Sequence, residues 1–181
     1  MNVGKRNQRS ASLAHRILTA LVLGIMALGA SVALAEDGKV YAGAECRALS
    51  GTVSTNSRAA VFNPSTSNSA RVICPIVHDT IGGTQDNISS AVVTVIDANN
   101  DSSAQSVSCR LLAHLRKNGG WFGTFSSAKH SSNGDPVTLN FGSLGTSDNH
   151  HYYFRCTLPP RDQNTNSASY IVSYRLNEQS L

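Results

Sequence analysis

The chain has 181 residues, with 15 Lys and Arg, 11 Asp and Glu, and a formal net charge of +4. Four of the 15 basic residues and none of the acidic ones lie in residues 1–35, so residues 36–181 hold 11 of each and are formally neutral. This balance removes the electrostatic reason to expect nucleic acid as a partner, and the remaining 146 residues (181 − 35) make one domain with a sizeable core.

The N-terminal segment has the pattern of a secretory signal peptide. Its basic residues precede an apolar run at residues 17–30, and Ala33, Leu34 and Ala35 supply small residues at the expected cleavage position. An uncleaved membrane anchor would need a longer apolar run. The sequence therefore predicts a signal peptide at residues 1–35 and a single secreted or periplasmic domain at residues 36–181, with no membrane span after cleavage.

Strands are predicted along the whole of residues 36–181, because short apolar and β-branched runs alternate with polar residues at period two. In chain order they are expected at residues 39–42, 59–62, 70–77, 91–96, 106–115, 121–125, 137–141, 152–158 and 170–176. Residues 80–90, with two glycines and an Asp-Asn pair, predict a loop, and residues 118–120 (Asn-Gly-Gly) a hairpin connection.

The clearest alternation lies in residues 152–158, where Tyr152, Phe154, Cys156 and Leu158 share one face. In the last strand, Tyr170, Val172, Tyr174 and Leu176 alternate in the same way. Eight to ten such strands, without a helical apolar period, predict an antiparallel β-sandwich. Immunoglobulin-like and jelly-roll topologies both fit.

The four cysteines, Cys46, Cys74, Cys109 and Cys156, all lie in the predicted mature domain. An even number in an exported chain predicts two disulfides, and the wide spacing argues against a zinc site. Of the three possible connectivities, we favour Cys46–Cys74 with Cys109–Cys156, because each pair joins segments of similar strand character. Each bridge should stabilise the fold by about 2–4 kcal/mol.

Asp97, Asn99 and Asp101 alternate after the fourth predicted strand, so their oxygens could converge on calcium. The spacing resembles the start of an EF-hand loop, but Ser102 and Ser108 replace the glycine and glutamate that such a loop requires. Asp and Asn are also ordinary turn residues, so we favour a turn. Calcium is the one cofactor that the sequence suggests.

Trp121 and Phe122 follow the hairpin connection at residues 118–120. An exposed aromatic ring there could stack on a sugar or anchor a protein partner. Burial in the sandwich core is the alternative, and we favour it for Trp121 because of its large apolar area. Both residues remain candidates for ligand binding.

No catalytic residues are predicted. His78 is followed by Asp79, as in part of a catalytic triad, but no nucleophile motif accompanies them. His150 and His151 are adjacent, and adjacent strand residues point to opposite faces, so they should not chelate a metal together.

The segments around the cysteines, at residues 72–76 and 107–111, resemble a loose group of uncharacterised secreted bacterial proteins with a two-disulfide β-rich domain. Residues 153–159 and 169–174 are similar to the later signatures of that group. The resemblance implies export, two disulfides and a β-sandwich, and it implies no catalytic residues.

A non-catalytic binding module is therefore the expected function. Its partner would be a glycan or a cell-surface protein, contacted by the loops at residues 80–90 and 126–135. A small hydrolase that uses His78 and Asp79, and a structural or inhibitory secreted protein, are the alternatives.

Overall fold

The structure is a computed structural model, and it describes residues 37–77, 80–81, 84–85, 87–98, 106–117, 120–132, 134–144 and 150–179. Most of these residues belong to β-strands, and a 3₁₀ turn occupies Gly43–Glu45. The strands are β1 (Asp37–Ala42), β2 (Arg47–Ser50), β3 (Ser54–Thr55), β4 (Val61–Phe62), β5 (Ala70–Pro75), β6 (Thr80–Ile81), β7 (Thr84–Gln85), β8 (Asn87–Asp97), β9 (Ser108–Lys117), β10 (Gly120–Phe125), β11 (Lys129–His130), β12 (Gly134–Phe141), β13 (His151–Leu158) and β14 (Tyr170–Gln179). Within these ranges, no helix is long and apolar enough to cross a membrane.

Sheet A is organised around β8 and β14. Its strand order is β12-β8-β14-β4-β3, and β1 also pairs with β14. Since β8 occupies one side of β14, β1 and β4 share the other side. Along β8 the residues of one face, including Val93 and Val95, are buried, which is the alternation expected of a strand with one face on the core.

Sheet B has the strand order β10-β9-β13-β5-β2, with β11 also paired to β9. All strand pairs in both sheets are antiparallel. Most neighbours within a sheet are not consecutive in the chain, so the fold is not a simple up-and-down meander. Strands β6 and β7 form a separate two-stranded hairpin.

The two sheets pack face to face through aromatic side chains, and this confirms the predicted sandwich. Phe154 of sheet B is fully buried, and its ring centre lies 5.3 Å from that of Phe141 and 5.9 Å from that of Tyr174, both in sheet A. The Tyr174 hydroxyl donates a hydrogen bond of 2.8 Å to the Pro75 carbonyl oxygen of sheet B. Tyr152, Cys156 and Leu158 are buried beside Phe154, as the alternation in residues 152–158 predicted.

Both disulfides have the predicted connectivity, Cys46–Cys74 and Cys109–Cys156. Both attach to strands of sheet B. Cys109 of β9 lies directly opposite Cys156 of β13, while Cys46 precedes β2 and bonds to Cys74 of the adjacent β5. The Cys109–Cys156 disulfide therefore holds β9 and β13 in register, and the Cys46–Cys74 disulfide holds the start of β2 beside β5.

The prediction of a loop over residues 80–90 was wrong. Strands β6 and β7 occupy part of it, and β8 already begins at Asn87, whose register partner is Gln179 in β14. Asn87, Ser89 and Ser90 belong to the strand although they are polar, because β14 continues beside residues 87–90 and pairs with the backbone of this segment. Ile88 among them is buried in the core. Pairing across a sheet here outweighs the weak strand propensity of Asn and Ser.

The predicted alternation in β14 holds at Tyr174 and Leu176 but not before them. Ile171 is buried, whereas Tyr170 and Val172 are only half-buried, because a bulge between Ile171 and Ser173 shifts the pairing with β8 by one residue. Gly43 packs against this bulge. A Cβ atom at Gly43 would lie 2.0 Å from the Ile171 carbonyl oxygen, so a side chain there could not be accommodated without a backbone shift.

Candidate functional site

Trp121 and Phe122 lie on β10, where their backbones pair with those of Arg116 and Leu115 in β9. Their side chains fall outside the described part of the structure. The predicted role of these two residues in ligand binding therefore stays a prediction.

Asp97 ends β8 and is buried, with 2% of its surface exposed. Its carboxylate accepts hydrogen bonds from the Ser131 hydroxyl, from the Ser169 hydroxyl at 2.9 Å and from the backbone N–H of Val107 at 3.4 Å. It thereby ties β8 to the segment before β9, to the segment after β11 and to the segment before β14. Asn99 and Asp101 lie outside the described residues, so the calcium site also stays a prediction.

Replacing Asp97 by asparagine is expected to lower the free energy of unfolding by about 1–3 kcal/mol, because an amide N–H₂ cannot accept the hydrogen bonds that an oxygen accepted and leaves a buried polar group without a partner. Urea denaturation with excess chelator, and again with calcium, measures the loss. An equal loss in both conditions is expected if the carboxylate is purely structural. A wild-type stabilisation by calcium that disappears in Asp97→Asn would instead identify Asp97 as a calcium ligand.

The hydrolase alternative, which named His78 and Asp79, stays a prediction, and the histidine pair His150 and His151 is described in the structure. His78 and Asp79 lie outside the described residues. His151 is exposed on β13, opposite His114 of β9, and the ring of His150 lies 6.5 Å from that of Tyr152. Over the described ranges, no three His, Cys, Asp or Glu side chains converge as a metal site requires.

The outer face of sheet B carries a cavity of about 370 Å³ that we call the basic cavity. Arg71, Ser108, Arg110, Ala128, His130, Arg155 and Thr157 line it. These residues come from β5, β9, β11, β13 and the segment between β10 and β11. Ala128 and His130 belong to residues 126–135, one of the two segments expected to meet a ligand.

Strand register explains how these residues meet. Arg155 of β13 lies directly opposite Arg110 of β9, and Thr157 lies opposite both Ser108 of β9 and Arg71 of β5. Neighbouring strands are about 4.8 Å apart, so long arginine side chains on three adjacent strands can reach a common point above the sheet. Arg71 and Arg155 are exposed and Arg110 is half-buried.

An aromatic group borders the basic cavity. The Phe125 side chain is 63% exposed, and the guanidinium carbon of Arg110 lies 5.6 Å from the centre of its ring. This distance is within the range of a cation–π contact, which holds the Arg110 head group beside the ring. Phe125 thus presents an apolar ring next to hydrogen-bond donors.

A second pair of side chains lies further along β9 and β13. The Tyr153 hydroxyl is 3.0 Å from His114 Nδ1, and the two rings meet edge to face at 5.3 Å. Burial raises the pKa of the Tyr153 phenol, and the nearby Arg155 charge lowers it in part, so the hydroxyl stays protonated at neutral pH. A Cβ atom at Gly123 would lie 2.1 Å from His114 Cδ2, so the glycine leaves room for this ring.

Sequence reasoning missed the basic cavity, because each arginine alone is typical of a solvent-facing strand position. The signal that could have found it is the pair of dipeptides Cys109-Arg110 and Arg155-Cys156. If two antiparallel strands place Cys109 opposite Cys156, then Arg110 must lie opposite Arg155. The favoured disulfide connectivity, with Cys109 and Cys156 on paired antiparallel strands, therefore already implied that Arg110 and Arg155 lie opposite each other.

Comparison with solved structures supports the fold. The chain is similar to a xylan-binding module, CBM15, with a TM-score of 0.51 and 11% identity over 81% of this chain and 100% of the module. It also matches the low-affinity xylan-binding module CBM86 from Roseburia intestinalis, with a TM-score of 0.46 and 13% identity over 79% of this chain and 96% of that one. A third match is a family two carbohydrate esterase from Cellvibrio japonicus, with a TM-score of 0.44 and 10% identity over 80% of this chain.

The chain spans 35% of the length of that esterase. No protein-family model and no curated protein matches the sequence. At these identities the similarity concerns the fold alone, and of the three structures the CBM15 module is the one close enough to support it. The protein is a two-disulfide antiparallel β-sandwich whose fold is similar to that of the CBM15 module.

Proposed function

We propose that this protein is an exported β-sandwich that binds a glycan, without catalysis, on the outer face of sheet B. The observation that carries the proposal is the basic cavity with the exposed Phe125 ring beside it. The xylan-binding activity named for the CBM15 module, which has the same fold, agrees with a glycan as the class of ligand. The two disulfides agree with export, since such bonds persist outside the cytoplasm.

The cavity offers the contacts that a sugar needs. The C–H face of a sugar ring can pack on an aromatic ring such as Phe125, while its hydroxyls can bond to polar groups at the edge. The hydroxyls of Ser108 and Thr157 can donate and accept, and the three guanidinium groups donate. A volume of about 370 Å³ is near the small end of ligand sites, which span roughly 300–1,000 Å³, and suits one or two sugar units of a longer chain.

The test is a panel of neutral and acidic polysaccharides, probed with the full chain expressed with its own N-terminus and purified with both disulfides formed. We expect specific binding to at least one glycan. Phe125→Ala should weaken it about threefold to tenfold, since an aromatic contact contributes about 0.5–1.5 kcal/mol. Trp121→Ala, on the same strand, tests the other predicted aromatic.

Val40→Ala is the matched control, because Val40 is 68% exposed but belongs to β1 of sheet A. It should bind as the wild type does. If binding is unchanged by Phe125→Ala but lost with chelator, the glycan binds at the predicted calcium ligands and not at the basic cavity. A panel on which no glycan binds would contradict the proposal and favour a cell-surface protein as the partner.

A further inference from the structure

Charge is divided unequally between the two sheets. The strands of sheet B contain no Asp or Glu, yet they contain seven Lys and Arg, namely Arg47, Arg71, Arg110, Arg116, Lys117, Lys129 and Arg155. The strands of sheet A hold four acidic residues, Asp37, Asp97, Asp135 and Glu178, and two basic ones, Lys39 and Arg175. A domain that is neutral as a whole therefore has one strongly basic sheet.

The arginines of the basic cavity face one another. Arg110 and Arg155 are direct register partners, an arrangement that destabilises a sheet when both residues carry the same charge. No salt bridge in the described part of the chain joins either of them, or Arg71, to a carboxylate. The adjacent disulfide Cys109–Cys156, on the inner face, holds β9 and β13 together at this point. The outer face thus bears a repulsion that a bound anion would relieve.

We propose that the glycan is anionic, and that its carboxylate or sulfate groups bind to Arg71, Arg110 and Arg155 in the basic cavity. The inference rests on the proposed glycan-binding function and adds the charge of the ligand. A guanidinium group donates two parallel hydrogen bonds to a carboxylate or a sulfate, and such charge-assisted bonds are stronger than those between neutral groups. Arginine is the side chain suited to this task, and three of them line one cavity.

The other residues of the cavity favour a sugar as the carrier of the charge. Ser108 and Thr157 present hydroxyls between the arginines, and Phe125 presents an exposed ring beside Arg110. A hydroxyl-bearing ring with an acidic substituent uses all three kinds of contact at once. The local positive potential of sheet B would also speed the encounter with a polyanion and make binding sensitive to salt, whatever the net charge of the domain.

The experiment compares polysaccharides that differ only in charge. The sulfate arm sets dextran sulfate against dextran, and the carboxylate arm sets polygalacturonate against its methyl-esterified form. In titration calorimetry, the full chain should bind at least one charged polysaccharide and should bind its neutral counterpart weakly or not at all. The arm that responds identifies the acidic group. Binding should weaken as sodium chloride is raised.

Arg155→Gln should weaken binding to the charged polysaccharide about tenfold to a hundredfold, the range for one lost charge-assisted contact. Arg175→Gln is the matched control, because Arg175 is an exposed arginine on a strand of sheet A; it should change affinity less than twofold. Without ligand, Arg155→Gln should melt at the wild-type temperature or above, since it removes a like-charge contact. If that variant folds poorly, Arg71→Gln provides the same test.

Three results would overturn the inference. Equal affinity for the charged and neutral members of both arms would show that binding does not depend on the charge of the polysaccharide. This result would leave the proposed glycan binding intact. Single-stranded poly(dT) that binds as tightly as the charged polysaccharide, and that loses as much affinity in Arg155→Gln, would show a generic polyanion site. Absence of binding to every polysaccharide would remove the proposed function itself.

Discussion

Phe154→Ala is expected to lower the free energy of unfolding by about 3–5 kcal/mol, the range for a large aromatic removed from a core. Phe154 is fully buried, and its ring contacts those of Phe141 and Tyr174, which come from the opposite sheet. Truncation would leave a cavity between the sheets, at the point where the sandwich closes. Guanidinium denaturation of the variant and the wild type, monitored by near-ultraviolet circular dichroism, measures the loss.

Phe125→Ala is the matched control, since it removes the same side chain from a position that is 63% exposed. Surface substitutions of this kind usually change stability by less than about 0.5 kcal/mol. The two variants separate folding from binding: Phe154→Ala should lose stability, whereas Phe125→Ala should lose affinity for glycan. A Phe154→Ala variant as stable as the wild type would contradict the packing between the sheets.

Removing the Cys109–Cys156 disulfide by replacing both residues with alanine is expected to cost about 2–5 kcal/mol. The bond closes a sequence separation of 47 residues, so its loss frees a long segment in the unfolded chain. Both cysteines are fully buried in the core, so the loss also leaves their contacts unfilled. Denaturant midpoints of the double variant and the wild type, both under oxidising conditions, measure the change.

The Cys46–Cys74 pair offers the comparison, because it closes a shorter separation of 28 residues. Its removal should cost about 0.5 kcal/mol less on loop-closure entropy alone. The two variants should also differ in their effect on the proposed site. Only Cys109 and Cys156 directly neighbour the Arg110–Arg155 pair, so their removal should weaken binding to a charged glycan more. If reduction of the wild type left its midpoint unchanged, the structural role of both bonds would be refuted.

Local pattern was sufficient to predict the strands that have one face on the core. Residues 152–158 alternate strictly, and each apolar member is buried as predicted. Where the prediction was wrong, tertiary pairing prevailed. Asn87, Ser89 and Ser90 are polar and have little strand propensity, yet β14 lies beside residues 87–90 and pairs with the backbone of this segment. The bulge after Ile171 depends on the pairing with β8, so the sequence alternation of β14 does not reveal it, although the bulge changes which residues are buried.

Alternation and turn residues act over a few positions, so the sandwich class and most buried strand faces follow from the sequence, which also indicated the favoured disulfide connectivity. Which strands are neighbours depends on contacts between distant parts of the chain and became known from the fold. Arg71, Arg110 and Arg155 are separated by 39 and 45 residues in the chain, and the order β9-β13-β5 places them on adjacent strands. A net charge sums over the whole domain, whereas a ligand responds to the charges within a few ångströms of it. The strand order therefore gathers basic residues in one sheet, although residues 36–181 are formally neutral as a whole.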